Sequence, residues 1–402
     1  MTPVWADPIN YIIRLLRELL IGWGLPPDLT HFVMSLLGGF LLATGAMMFV
    51  IFLIWYERKL IGRIQDRLGP NRIGPWGIFQ PFADMLKIFI KEFITPAGAD
   101  WLPYNLAPVL SVGSVLLIWA VIPFMVSVYG VDLNVGVLYL IAAGGFGVLS
   151  ILLAGWGSNN KYALLGGFRA IAMLLSYEVP MVICLLIPVM YAQSMSMNTI
   201  VKAQDVWFIV TAPVAALIFF ITSVAEIGRA PFDLVEAESE LVAGYNIEYS
   251  GLKFGMFFVA EFLHAFTVSL LFSILFLGGW RGPGAEQIPI LGFIYLVIKT
   301  FVVYLVVILL RGSLPRFRID QMMDINWKIL TPLALVIVMV TALVDKAVSG
   351  LDSLIKAVIL LVINLIVLYI TSYLLKQSSK RLMARKVVSE KRPVAVYRPE
   401  QS

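Results

Sequence analysis

The stretch FVMSLLGGFLLATGAMMFVIFLIW, residues 32–55, contains 24 residues and no charged side chain. An α-helix of about 20 apolar residues spans the hydrocarbon core of a bilayer, because each residue adds about 1.5 Å. This stretch therefore predicts a transmembrane helix. The whole chain of 402 residues is 60% hydrophobic and 14% charged, which is too apolar for an ordinary soluble domain.

Further charge-free or nearly charge-free runs follow at 104–128, 135–156, 171–191, 206–225, 254–277, 288–310, 329–344 and 357–375. Together they predict an all-α, polytopic bundle of about nine transmembrane spans. The eighth run is the shortest, with 16 residues between Lys328 and Asp345, and it requires bilayer thinning or snorkelling at its ends.

The predicted organisation has three parts: an N-terminal interfacial segment, 1–30, a transmembrane domain, 31–375, and a basic tail, 376–402. In the first part, INYIIRLLRELL (9–20) predicts a short amphipathic helix on the membrane surface. The chain begins without a basic segment followed by an apolar core, so no cleavable signal peptide is expected.

Lysine and arginine predict the orientation, because they accumulate in cytoplasmic loops. With the N-terminus outside and the C-terminus inside, 23 of the 30 Lys and Arg residues lie inside. The isoelectric point near 9.1 then reflects membrane topology, and we expect no nucleic-acid partner.

Two polar loops interrupt the transmembrane domain: an amphipathic loop, 57–100, and an acidic loop, 226–253. In the first, a helix on the cytoplasmic side is predicted over 77–93, with Gln80, Asp84, Lys87 and Lys91 along one stripe. Such a helix either anchors the loop at the interface or forms the rim of a ligand cavity.

The acidic loop contains EIGRAPFDLVEAESELVAGYNIEYSG, residues 226–251, with six carboxylates around Arg229. On a helix Asp233, Glu236 and Glu240 share one face, where like charges cost about 0.2 to 0.5 kcal/mol per pair. Crowding near a low dielectric favours proton uptake, so some of these acids are expected to exchange protons near neutral pH. The alternative is a solvated docking face for a basic partner.

Ionisable residues inside the predicted spans mark a candidate proton path. Glu178 and Glu261 lie about seven residues inside the fourth and sixth runs, where a charge costs roughly 2.5 to 3.5 kcal/mol. Lys299 is either a counter-ion for one of these acids or a snorkelling side chain. His264 is either a relay member beside Glu261 or a helix–helix hydrogen bond, and Cys184 is predicted to be a packing residue.

Cofactors of its own are not expected in this chain. It has one cysteine and two histidines, whereas an iron–sulfur cluster needs about four such ligands. His31 and His264 lie at different predicted depths, which disfavours a haem, and no metal site is expected. Any redox centre must therefore belong to a partner.

Four motifs carry a resemblance to a known family: YERKLIGRIQDRLGPNRIGPWGIFQPFADMLKIFIKE (56–92), SNNKYALLGGFRAIAMLLSYEVP (158–180), the acidic stretch 226–251, and RGSLPRFRIDQMM (311–323). In this order they resemble the quinone-site membrane subunit of respiratory complex I, the H subunit of NADH:quinone oxidoreductase. The resemblance runs from about residue 56 to 328, whereas the ninth run and the tail extend beyond the shortest family members.

The resemblance implies a subunit of a proton-translocating oxidoreductase in the inner (plasma) membrane of a bacterium. The implied substrate is a quinone, either ubiquinone or menaquinone. The implied partners are the hydrophilic iron–sulfur subunits of the redox arm, other membrane-arm subunits and membrane lipids.

The expected site has two parts. Residues in the matched motifs, with Lys87 and Lys91 added from the amphipathic helix, form the quinone chamber: Glu57, Arg58, Asp84, Lys87, Lys91, Arg229, Asp233, Glu236, Glu238, Glu240, Glu248, Arg311, Arg316, Arg318 and Asp320. The expected proton path comprises Glu178, Glu226, Glu261, Arg169 and Lys299.

Two other functions remain open at this point. A membrane-bound hydrogenase subunit docks a similar redox arm without needing quinone, although the intact loops favour the quinone enzyme. An independent transporter would usually contain an internal repeat with matched broken helices, and the sequence has no evident repeat.

Overall fold

The computed structural model of the chain describes residues 7–233, 244–348, 350 and 352–390, the last thirteen as backbone only. The described residues form fourteen α-helices: α1 Pro8–Gly22, α2 Pro27–Ile64, α3 Gln80–Ile90, α4 Trp101–Trp119, α5 Gly136–Gly157, α6 Lys161–Ala192, α7 Met197–Lys202, α8 Phe208–Thr211, α9 Pro213–Ile227, α10 Gly251–Phe276, α11 Pro289–Ser313, α12 Ile319–Ile325, α13 Thr331–Ala347 and α14 Ser353–Glu390. A π-helical turn, Asn326–Leu330, joins α12 to α13.

The prediction of an all-α, polytopic bundle is confirmed, but eight described helices, not nine, are long and apolar enough to span a bilayer. The eighth predicted span is longer than its apolar run, because one continuous helical segment covers Ile319–Ala347 with 29 residues. The fifth is the broken one. Ala212 leaves the helical region (φ −135°, ψ 61°) and Pro213 has no N–H to continue the ladder, so α9 has only 15 residues.

Helix α10 lies at the centre of the bundle. In its most apolar window 72% of residues are buried, compared with 17% in α2 and in α14. It packs against α2, α4, α9 and α11, and Trp119 of α4 donates its ring N–H to Thr267 at 2.7 Å. Any polar residue on α10 is therefore presented to the interior of the protein.

The two ends of the bundle differ, and we name them by the helices that finish there. At the loop end α2, α9 and α11 finish and α10 begins; at the far end α10 finishes and α11 begins. Gly228 terminates α9 at the loop end with φ 72°, a left-handed conformation that glycine adopts without steric cost. The chain then reverses and directs Arg229 back into the bundle.

Both predicted surface helices are present. α1 covers the predicted 9–20, with the Asp7 side chain accepting from the Asn10 N–H at 3.3 Å at its start. α3 lies within the predicted 77–93, and a separate 3-10 turn, Pro75–Gly77, precedes it. α14 continues to Glu390, past residue 376 where the basic tail was predicted to begin.

Candidate functional site

The centre of the loop end is Glu57, a fully buried carboxylate on the last turns of α2. It accepts hydrogen bonds from Arg229 and Arg311, and the Tyr304 hydroxyl donates to its Oε2 at 3.1 Å. Glu57 is 1% exposed and Arg229 is 2% exposed. Burial of a charge is costly unless it is paired and hydrogen-bonded, and both conditions are met here.

Arg229 joins Glu57 to a second acid. Its Nε lies 3.2 Å from Oε1 of Glu261, and its Cζ lies 4.5 Å from the centre of the Phe262 ring. Burial lowers the pKa of the Arg229 guanidinium, but the carboxylates of Glu57 and Glu261 outweigh that effect, so its pKa lies above its ordinary value. We call Glu57, Arg229, Arg311, Tyr304 and Glu261 the ionic cluster.

A cavity of about 100 Å³ adjoins the ionic cluster inside the bundle. Its lining includes polar residues of α4, α5, α9 and α10, two glycines of α5 and a tyrosine before α10: Ser111, Ser114, Gly144, Gly147, Ser150, Glu226, Tyr245, Glu261 and His264. A cavity of this size with several polar groups has room for more than one water molecule. Glu261 belongs both to the ionic cluster and to the cavity lining.

The remaining predicted acid, Glu178, lies beside this cavity. It is half-buried on α6, one turn after Leu174, which lines the cavity together with Glu226. Glu261 and Glu226 thus line one cavity, and Glu178 lies on the α6 helix that also lines it. Arg169, also predicted for this path, is half-buried on α6.

At the outer edge of the loop end, α3 is tied to α2. Arg58 donates to Asp84, and Gln80 donates to the same carboxylate at 3.3 Å. Glu57 and Arg58 are neighbours in sequence, yet one faces the interior and the other faces α3. Lys87 and Lys91, predicted on the polar stripe of a helix over 77–93, are both exposed, but only Lys87 lies on α3, because the helix ends at Ile90 and Lys91 has an extended backbone.

Part of the acidic loop is described. Arg316 donates to Asp233 at 2.9 Å, and the Phe317 N–H donates to the Pro231 carbonyl at 3.0 Å. Glu248 lies elsewhere, accepting from Asn160 at 2.6 Å at the start of α6. Arg318 and Asp320 are exposed where α12 begins. Three predicted residues lie outside the described residues: Glu236, Glu238 and Glu240.

Lys299 pairs with no carboxylate in the part of the chain that the structure describes, so its prediction as a counter-ion is wrong. Its Nζ donates to the carbonyls of Leu277, Gly279 and Arg281 at 2.7, 3.0 and 2.8 Å. These bonds use all three protons of the ammonium group. Lys299 thus caps the far end of α10 at the Leu277 carbonyl and also binds two carbonyls of the turn that follows.

Sequence reasoning missed two uncharged members of this region. Tyr304 lies five residues after Lys299 in an apolar run, and its hydroxyl reaches Glu57 from α11. Ser114 lines the cavity from α4 and donates to the Ser111 carbonyl at 2.8 Å. Isolated hydroxyls in apolar spans carry little signal, because most of them bond to their own helix.

Comparison with known proteins matches most of the chain to one family. The family model described as NADH dehydrogenase matches residues 38–342, which excludes α14. The NADH-quinone oxidoreductase H subunit of Dehalococcoides mccartyi (strain CBDB1) is 47% identical over 293 residues, 73% of this chain and 82% of that protein. The corresponding protein of Brevibacillus brevis is 44% identical over 314 residues, 77% of this chain and 93% of that protein.

Proposed function

Because this chain belongs to the family of complex I H subunits and is a subunit of an oxidoreductase complex, we propose that it forms a quinone chamber with the redox arm and couples quinone reduction to proton translocation. The loop end then faces the cytoplasm of a bacterial cell and docks the hydrophilic iron–sulfur subunits. The excess of Lys and Arg in the loops assigned to this side supports that orientation.

The division of labour follows from the composition. Electrons reach the quinone from an iron–sulfur cluster held by a partner subunit, since this chain has a single, buried cysteine. The contribution of this chain is then to bind and orient the quinone and to supply protons, with quinone as a substrate and no redox cofactor of its own.

The outer edge of the loop end is suited to an amphiphilic quinone. α3 exposes Phe82, Leu86 and Phe89, which an isoprenoid tail can follow, while Asp84 and Arg58 form a polar pair beside them. Arginine and hydroxyl donors deeper in the loop end can hydrogen-bond the head group as its oxygens gain negative charge.

The observation that carries the proposal is the double position of Glu261. It contacts Arg229 of the ionic cluster at 3.2 Å and lines the polar cavity that also holds Glu226. Reduction of a quinone by two electrons consumes two protons and changes the charge at the chamber. In the proposal the change in charge alters the ion pair of half-exposed Arg311 with Glu57. It then alters the ion pair of Arg229 with Glu261, because Arg229 contacts both acids.

A proton on Glu261 would weaken its ion pair with Arg229, since only the carboxylate form attracts the guanidinium strongly. The proton can pass along the cavity to Glu226 and then to Glu178, which follows the cavity-lining Leu174 by one turn of α6. His264 lines the same cavity and offers a second group for proton transfer. This sequence of acids is the proposed link between chamber and membrane interior.

The test replaces Glu261 or Glu178 by Gln in the assembled complex, which removes the titration and keeps size and hydrogen bonding. We expect NADH:quinone activity and pH-gradient formation in membrane vesicles to fall together, while NADH oxidation by an artificial acceptor remains. Glu286→Gln, at an exposed far-end acid, is the matched control and should change neither. Glu238→Gln in the acidic loop should act more mildly than Glu261→Gln.

Full quinone reductase activity and full pumping in both Glu178→Gln and Glu261→Gln would refute the proposed path. The two acids would then be structural partners within the bundle.

A further inference from the structure

A carbonyl group in the middle of α6 lacks its usual helical partner. In an α-helix the N–H of residue i donates to the carbonyl of residue i−4, and Pro180 has no N–H to donate to Ser176. Both Ser176 and Pro180 are buried in the bundle. A buried carbonyl of this kind requires a donor from elsewhere.

Asn326 supplies that donor from another helix. Its Nδ2 lies 2.5 Å from the Ser176 carbonyl oxygen, and the side chain is completely buried. Asn326 is the first residue of the π-helical turn between α12 and α13. Such turns are rare and occur frequently at functional sites.

A second hydrogen bond, made by the residue after Ser176, has its donor on α6 and its acceptor on α12. The Tyr177 hydroxyl donates to the Met322 carbonyl at 3.0 Å. α6 thus donates one side-chain hydrogen bond to the backbone of α12, and the π-helical turn donates one to the backbone of α6. We call the pair of bonds Asn326–Ser176 and Tyr177–Met322 the backbone clamp.

The two α6 residues of the backbone clamp lie directly before Glu178 in the sequence. Ser176 and Tyr177 precede it, Pro180 follows two residues later, and Leu174, one turn earlier on the same face of α6, lines the cavity that Glu226 also lines. Fixing the backbone on this side of Pro180 therefore fixes the direction in which the Glu178 side chain leaves α6.

The same clamp contacts the described part of the acidic loop. The Tyr177 ring lies 5.4 Å from the Phe232 ring, which lies 5.7 Å from the Phe317 ring. Phe232 directly precedes Asp233, the partner of Arg316. A movement of this loop would therefore be transmitted through the Phe232 ring to the segment of α6 that carries Glu178.

We propose that Asn326 is a positioning residue for Glu178: its amide holds the Pro180 break of α6 so that Glu178 stays on the face of α6 that borders the cavity. This inference rests on the proposed function, because it assigns Asn326 a role only through the proton path. Asn326 touches neither quinone nor a transferred proton, and acts through the α6 backbone alone.

The decisive variants are Asn326→Leu, which keeps the volume and removes the donor, and the double variant Pro180→Ala/Asn326→Leu. Alanine at 180 supplies the missing helical N–H to Ser176. In the assembled complex we expect Asn326→Leu to lower quinone reductase activity roughly tenfold and displace its pH profile, and the added Pro180→Ala to restore both. NADH oxidation by an artificial acceptor should not change.

The matched control is Asn364→Leu. Asn364 is also completely buried and also donates to a carbonyl, that of Thr211 at 3.2 Å, but it lies on α14 beside the break in the fifth span. We expect it to lower the amount of assembled complex without moving the pH profile. If Asn326→Leu does not assemble, Tyr177→Phe, which removes only the other clamp bond, should displace the profile in its place.

An unmoved pH profile in Asn326→Leu or, failing its assembly, in Tyr177→Phe overturns the inference. So does a loss of activity that Pro180→Ala fails to restore, because the Ser176 carbonyl would then not be the cause. Glu178→Gln is measured in parallel: its own loss of turnover tests the proposed function, independently of whether Asn326 matters.

Discussion

A buried or half-buried cation stands at each end of this bundle, and the two are satisfied in different ways. At the loop end Arg229 lies between the carboxylates of Glu57 and Glu261. At the far end Lys299 donates to three backbone carbonyls and lies 5.2 Å from the Trp207 ring. Carboxylates can take up a proton whereas carbonyls cannot, so the partners of Arg229 can change their charge and the partners of Lys299 cannot.

The difference in partners distinguishes a candidate functional site at the loop end from a structural helix cap at the far end. Glu261 lines a polar cavity, so a proton that it takes up or releases beside Arg229 can exchange with groups in that cavity. Lys299 closes the end of α10 next to Gly278 and Gly279, both with positive φ, and its partners are fixed backbone groups. An ionisable residue in an apolar span is therefore informative only once its partners are known.

The largest expected effect compares Arg229→Met with Lys299→Met. Removing Arg229 takes the cation from partly buried Glu261 and leaves buried Glu57 with Arg311 as its cation, at a cost of about 3 to 5 kcal/mol. Removing Lys299 leaves carbonyls unpaired, at about 1 to 3 kcal/mol. We expect Arg229→Met to abolish quinone reductase activity in whatever complex assembles. Lys299→Met should reduce the amount of complex and preserve its specific activity.

The readouts for this pair are complex abundance on native gels and quinone reductase activity normalised to artificial-acceptor activity. The comparison fails if Lys299→Met also abolishes the normalised activity, because the far end would then take part in turnover.

A smaller effect is expected for the two tyrosines of α11. The Tyr304 hydroxyl donates to Glu57 at 3.1 Å, and the Tyr295 hydroxyl donates to the Pro283 carbonyl at 3.1 Å. A hydrogen bond to a charged group contributes about 1.5 to 3 kcal/mol, so Tyr304→Phe should lower quinone turnover roughly tenfold. Tyr295→Phe should leave turnover per assembled complex unchanged, and equal losses in the two variants would remove the distinction between the ends.

The smallest effect compares two partly exposed carboxylate–arginine pairs, Asp84 with Arg58 at the loop end and Asp205 with Arg281 at the far end. Pairs of this kind contribute only about 0 to 1 kcal/mol to stability, so both Asp→Asn variants should assemble. We expect Asp84→Asn to raise the apparent KM for quinone about two- to fivefold, consistent with loss of roughly one weak polar contact. Asp205→Asn should not change it.

A quinone titration with artificial-acceptor activity as reference distinguishes the outcomes. A parallel loss in both assays for Asp84→Asn would indicate failed assembly, and an unchanged KM would exclude α3 from the access route.

Much of the fold follows from the apolar runs, because a single chain segment that crosses a bilayer can hydrogen-bond its backbone N–H and C=O groups internally when it is an α-helix. The exception was the fifth run, whose Pro213 and neighbouring Ala212 interrupt the helix in a way that hydropathy does not register. The eighth apolar run is shorter than the helix that contains it, since that helical segment begins among the polar residues of α12.

The site was predictable where charge stands out against an apolar background. Glu57, Arg229, Arg311 and Glu261 were all predicted, and the structure brings them together, but the sequence could not show which acid pairs with which arginine. The partners of Lys299 stayed open between an acid and the membrane surface, because position along a run does not reveal the carbonyls at and after the end of α10. Asn326 was missed because its importance depends on Pro180 in a distant helix.

The most direct test of the account is whether Glu261 changes its protonation when quinone is reduced. Redox-induced infrared difference spectra of the assembled complex report the C=O stretch of protonated carboxyl groups. The account predicts a carboxyl band in the wild type that disappears in Glu261→Gln and persists in the Glu286→Gln control. An identical carboxyl band in wild type and Glu261→Gln would contradict it, because the acid that joins the ionic cluster to the cavity would then not titrate during turnover.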